Sequence, residues 1–304
     1  MDNTPAAPAS PLQDLADHVM AMHAHDLDSA REQLLADAPA LLYTADRTGL
    51  VAYLRTAEHV LLGHQNDPAA LRPILAALVP LAAAHPPVQH GLQRAELAMS
   101  MAAGAPAAVG DLPPDEQVKA HYNAALARTR LGDYPGATAL LDGAVAAAKA
   151  APEHRGAQIA LAAVANNIAA DLRFDFQPPA DDAAKAMLHA ALTARDAWAA
   201  VGGWLEVERA DWQIAMCAST AGEGALAVKH AQAGLDACQA NEATDYELCF
   251  AWQAMALAAL SAGDKPAATR ARDAMQGCIG QLEDAGSSEY AGHCLAEIDA
   301  ALAA

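Results

Sequence analysis

From about residue 10 onward, apolar side chains recur at three- and four-residue intervals in runs of about 12 to 20 residues, each run interrupted by Gly, Pro or Asp. That period belongs to amphipathic helices. Val, Ile, Thr and aromatic residues are too scarce for a β-rich protein, whereas Ala and Leu, which dominate, favour helices. Helices are expected near 10–25, 28–42, 48–64, 68–84 and 88–103, with Asp67-Pro68 and Pro86-Pro87 as breaks and Gly63 capping one end. The clearest passage runs from His121 to Ala137. One helix ends at Leu131 and Gly132-Asp133-Tyr134 turns the chain. Pro135 then opens a second helix where a missing N–H costs nothing. Leu140, Leu141, Ala144 and Val145 give that second helix its apolar stripe.

This passage recurs along the chain. The pairs Trp212-Gln213 and Trp252-Gln253 are 40 residues apart, and the turn glycines Gly222 and Gly263 are 41 apart. Gly132 precedes Gly222 by 90, or two units of 45, and Val164 to Arg173 supplies a first helix between them. His189 and His230, on successive second helices, are again 41 apart. A fixed period of this size marks stacked two-helix units, each burying its apolar face against its neighbours.

Asn123, Leu126, Leu131-Gly132-Asp133-Tyr134, Ala137, Leu141 and Ala144 together resemble a tetratricopeptide repeat. The longer period is similar to the long-helix variety found in kinesin light chain and in bacterial peptide-sensing regulators, and Asn166-Asn167-Ile168-Ala169 is similar to kinesin light chain's Asn-Asn-Leu-Ala. The likeness is good over 118–149, moderate over 157–280 and weak before 110. Phe176 at a turn position and Arg272 at an aromatic one depart from the pattern. The resemblance implies an all-α fold, a right-handed α-solenoid of antiparallel helix pairs. The expected division is a lead-in over 1–9, degenerate helical repeats over 10–110, the repeat array over 111–286 and a capping helix over 287–304. The Gly/Pro-rich tract 103–114 reads as an inter-repeat loop or as a soft domain boundary, with the loop favoured because helical pairs continue across it.

In such an array the first helices line the inner face. Asn123, Asn166 or Asn167, Gln213 and Gln253 recur there within a residue of one position. An amide offers both donors and acceptors, suiting it to hold a peptide backbone. Arg130 follows Asn123 by seven residues and Arg173 follows Asn166 by seven, which places each arginine on the same helix face as its amide. Such a row would favour an acidic peptide or a terminal carboxylate. By analogy with peptide-binding members of the family, these amides form the clamp; interhelical packing is the competing role, and for Trp212 and Trp252 it is the favoured one.

The 304-residue chain has 18 Lys+Arg against 37 Asp+Glu, a formal charge of −19, which argues against nucleic-acid or anionic-membrane partners. The start lacks the basic and apolar regions of a signal peptide. Five cysteines without C-x-x-C spacing read as free thiols packed as small core residues in a reducing cytoplasm. The twelve histidines show no ligand spacing: His18, His23 and His25 are out of register on one helix, and His85 and His90 merely flank Pro86-Pro87. Neither a metal nor a cofactor is expected. No nucleophile-elbow, dinucleotide or P-loop motif is present, and the acidic clusters Asp111/Asp115-Glu116 and Asp181-Asp182 sit where helix dipoles favour negative charge. The expected function is a non-enzymatic cytoplasmic scaffold or adaptor that holds a protein or peptide segment. The alternative is a sensor that binds a peptide or small molecule and changes curvature. Self-association through terminal repeats has no named residue behind it.

Overall fold

A computed structural model describes residues 10–105, 109–174 and 181–304. Among these residues every regular element is helical: α1 (Pro11–Met22), α2 (Leu27–Asp37), α3 (Arg47–Ala57), α4 (Pro68–Ala82), α5 (Pro86–Ala102), α6 (Pro114–Arg130), α7 (Tyr134–Ala150), α8 (Arg155–Phe174), α9 (Asp181–Val201), α10 (Trp204–Thr220), α11 (Gly224–Ala240), α12 (Asp245–Ser261), α13 (Lys265–Ile279) and α14 (Ala285–Ala303). The fold is all-α, and within each of the two units described below helices adjacent in the chain pack against one another, as they do in an α-solenoid. None of the described helices is long and apolar enough to cross a membrane.

The punctuation read from the sequence does its work at both helix ends. Asp67, Asp133 and Asp264 are N-caps whose carboxylates accept the N–H of Ala70, Gly136 and Ala267, each at 2.9 Å. A proline stands in the first two positions of each of these helices. At the other end Gly132, Gly222 and Gly263 take φ of +71°, +77° and +77°. In each case the next N–H reaches back five residues: Asp133 to Arg128 O, Glu223 to Ala218 O and Asp264 to Ala259 O, at 3.0, 2.8 and 2.9 Å. Glu242, at φ 51°, fills the same role after α11 without a glycine.

The chain forms two compact units, 1–157 and 158–304, divided inside the first turn of α8. The division therefore falls within the stretch read as one array, not at the 103–114 tract. The expected lead-in 1–9 and the Phe176 turn position lie outside the described residues. The segment read as 287–304 lies in α14, Ala285–Ala303.

The first unit has a core of large residues, with Leu34, Leu41, Leu50, Tyr53, Leu54, Leu61, Leu71, Ile74 and Leu78 buried in one cluster. The second packs small ones: Ala215, Ala218, Ala227, Ala231 and Ala258 bring helices close together, and Cys249, Met275, Leu295 and Ile298 close the far end. There α12 touches α10, α11, α13 and α14, so its apolar residues run around the helix and not along one stripe. All five cysteines are free, four of them buried, and burial pushes the Cys217, Cys238 and Cys249 thiols up to about 12.

Two expected helices depart from the regular form. The segment read as 28–42 is α2 followed by a 3-10 helix over Ala38–Tyr43. The segment read as 48–64 is α3 followed by a π-helical turn over 58–64, with the Gln65 N–H donating to Val60 O at 3.1 Å. Gly63 is not a cap. It lies within this turn against α6, where an added Cβ would stand 3.1 Å from Asn123 Oδ1 and 3.3 Å from Leu126 Cδ1. The left-handed residue that ends the turn is Asn66, at φ 48°.

Candidate functional site

In the first unit the polar residues of the π turn meet α6 and α5. The buried Asn123 Nδ2 donates to Glu58 Oε1 at 2.9 Å, and Asn123 Oδ1 faces His59 Nδ1 at 3.1 Å. Arg94, 4% exposed, bridges Glu58 and Glu116, and Lys119 meets Glu116 from the outside. Burial alone would raise the Glu116 carboxyl, but Arg94 and Lys119 outweigh it and hold it below its usual range. The network closes every charge it buries, as a low-dielectric interior requires.

His59 then leads outward. Its ring stacks on Tyr122 with centroids 5.4 Å apart, its Nε2 lies 3.1 Å from His64 Nε2, and Arg130 Nη2 stands 2.8 Å from His64 Nδ1. His23, at the C-terminal end of α1, completes a cluster in which one nitrogen from each of His23, His59 and His64 lies within 4.8 Å of the others. The expectation of scattered histidines is corrected here. His59 and His64 are five residues apart, which would set them roughly 140° apart on an α-helix, but a π turn joins residues at that spacing. Burial pushes His59 down to about 4 and His64 down to about 3, so both are neutral near pH 7.

In the second unit a groove of about 450 Å³ is built on α8, α10, α12 and α14. Its lining comprises Asn166, Glu208, Arg209, Trp212, Gln213, Tyr246, Glu247, Phe250 and Tyr290. Phe250 sits between the exposed rings of Tyr246 and Tyr290, with centroids at 4.8 and 5.8 Å. Arg209 Nη2 pairs with Glu247 Oε1 at 3.2 Å across the rim. Glu208 is 3% exposed and forms no ion pair among the described residues, and burial pushes its carboxyl up to about 7. Arg173 places its guanidinium 5.3 Å from the Trp212 ring.

These positions redistribute the residues expected to form a peptide clamp. Asn166, half-buried, and Gln213, buried at 4% exposure, line the groove, and Arg173 packs on Trp212 at its wall. Gln253 is buried beneath it and faces Cys294, so it offers no surface. Asn167 is exposed beside Asn166 and outside the groove lining. Asn123 and Arg130 belong to the first unit and serve the histidine cluster, Asn123 as a buried structural amide. A single-face amide row was thus too simple, because a first helix in the middle of a stack is buried on most sides. The signal that sequence reading missed is the aromatic triad: Tyr246 and Phe250 are one turn apart on α12 and so share a face, but Tyr290 comes from α14, a meeting that no spacing reveals.

Comparison of the chain with family models and with curated proteins returns no match.

Proposed function

We propose that the protein is a non-catalytic binding module, built on a tetratricopeptide-like helical repeat, that holds a polypeptide segment in the groove of its second unit. The observation that carries this reading is the construction of that groove on four alternate helices, α8, α10, α12 and α14, with an aromatic wall and polar groups at its floor. Tyrosines present broad apolar faces at low entropic cost and keep a hydroxyl for the ligand's backbone, while Asn166 and Gln213 add donors and acceptors. The lining holds two carboxyl groups, Glu208 and Glu247, against the single cation Arg209, and the chain as a whole carries −19. Arg209 is matched by Glu247, so Glu208, pushed up to about 7 by burial, is the group left to gain its charge when a ligand cation pairs with it. The favoured ligand is therefore a segment that sets an apolar side chain on Phe250 and a Lys or Arg toward Glu208, and not the acidic peptide that Arg130 and Arg173 suggested. Arg130 is engaged at His64 and Arg173 is stacked on Trp212, which leaves the acidic lining to set the preference.

Selection of a random peptide library displayed on phage tests this reading. Enrichment of sequences pairing a basic with an aromatic or aliphatic residue is expected. Their binding should weaken at high salt and fall at least about tenfold in a Tyr246→Ser/Tyr290→Ser variant, whose changes are at exposed positions. Enrichment of acidic sequences, or binding indifferent to both tyrosines, would overturn it.

A further inference from the structure

We propose that His23, His59 and His64 form a three-imidazole site for a divalent transition-metal ion of the zinc class, separate from the groove and independent of its function. Three imidazole nitrogens from the end of α1 and the π turn converge within 4.8 Å of one another, with His59 Nε2 and His64 Nε2 already 3.1 Å apart. Tetrahedral Zn–N bonds of about 2.0–2.1 Å place ligand nitrogens about 3.3 Å apart, so the third nitrogen has at most about 1.5 Å to close. His23 lies at a helix end and is half-exposed, where a small ring movement is inexpensive. Imidazole suits zinc, copper and nickel, and three such ligands leave a fourth tetrahedral position for water or another ligand.

The surroundings of two of the rings are those of metal ligands. A ligating imidazole donates its other N–H to an oxygen that fixes its tautomer. The carboxylate of Glu58 can only accept, so Asn123 turns its Nδ2 toward Glu58 and its Oδ1 toward His59. His59 Nδ1 must then carry the proton, which leaves the Nε2 lone pair pointing at the cluster. His23 Nδ1 likewise meets the Met20 carbonyl oxygen, leaving its Nε2 for the ion. The chain Arg94–Glu58–Asn123–His59 thus acts as a buried relay that orients one ligand from three helices.

His64 is the ligand held in check. Arg130 can only donate, so His64 Nδ1 accepts and its proton sits on Nε2, aimed at His59. Binding an ion through Nε2 shifts that proton to Nδ1 and requires the Arg130 guanidinium to withdraw. Arg130 is exposed at the end of α6. It opposes the ion twice, as a competing donor and as a positive charge.

The test uses the full chain freed of metal and titrated with Co²⁺, whose tetrahedral nitrogen complexes absorb in the visible, followed by displacement with Zn²⁺. One Co²⁺ per chain is expected, displaced stoichiometrically by Zn²⁺. His23→Gln and His64→Gln, at half-exposed positions, should each weaken binding by more than about 100-fold, beyond the 10–100-fold typical of supporting residues. Circular dichroism should show both variants folded. Arg130→Gln should tighten binding about tenfold or more, a change in sign that a purely structural role for the cluster does not produce. Absence of the visible bands, binding unchanged in both histidine variants, or weaker binding in Arg130→Gln would each overturn the assignment.

Discussion

Asn123 and Glu58 are 65 residues apart in the chain and 2.9 Å apart in space, joined by a hydrogen bond from the amide to the carboxylate. The same amide accepts from His59, so one side chain on α6 fixes both a buried charge and the proton of an imidazole. Asn123→Ala leaves a carboxylate oxygen and an N–H buried without partners. The expected loss is about 2 to 4 kcal/mol in chemical denaturation. Asn123→Asp should cost more, because it sets a second carboxylate against Glu58. If Asn123→Ala unfolds at the wild-type denaturant concentration, the amide is not the support described.

Arg94 spans Glu58 and Glu116 from α5, forking between two carboxylates that no point charge reaches together. Arg94→Met strands both and should cost about 3 to 5 kcal/mol. Arg94→Lys, which keeps the charge and loses the fork, should fall between that variant and wild type. Equal stability for Lys and Met would mean that charge alone contributes nothing there.

Glu208 gives the second unit a pH dependence of definite sign. Its carboxyl rises from 4.5 in the ordinary state to about 7 when folded, so the native state holds a proton that the unfolded chain releases. Stability is therefore greatest below about pH 4.5 with respect to this group and falls as pH rises toward 7, by roughly 3 kcal/mol. Glu208→Gln keeps an acceptor for the Cys238 thiol and removes the titration. The difference in stability between variant and wild type should grow in the variant's favour from pH 5 to pH 8 and then level off. A constant difference across that range would refute the shift.

The same replacement of glycine by alanine should act in opposite directions at two positions. Gly222 is at φ +77° with nothing within 4 Å of an added Cβ, so only backbone strain opposes the change, and Gly222→Ala should destabilise by about 1 to 2 kcal/mol. Gly292 lies inside α14 with equally open space, and Gly292→Ala should stabilise by about 0.5 to 1 kcal/mol. Thermal melting of the two single variants distinguishes them by direction alone.

Local physics wrote most of the fold into the sequence. A 3.6-residue period, an aspartate shortly before a proline and a glycine closing an apolar run each act within one or two turns. The helices from α1 to α14 and the left-handed caps at Gly132, Gly222 and Gly263 were therefore legible without any knowledge of packing. What lay beyond reach depends on partners distant in the chain. Whether Asn123 faces a ligand or a buried carboxylate is decided by where α6 meets the π turn and α5. The meeting of His23 with His59 and His64 depends on a π turn whose extra residue no periodicity announces, and on α1 docking against α3. The aromatic groove likewise exists only because α10, α12 and α14 lie side by side. Helix formation is settled by neighbours in sequence, whereas a site is settled by neighbours in space, and the burial of charge that selects those neighbours is a property of the assembled core.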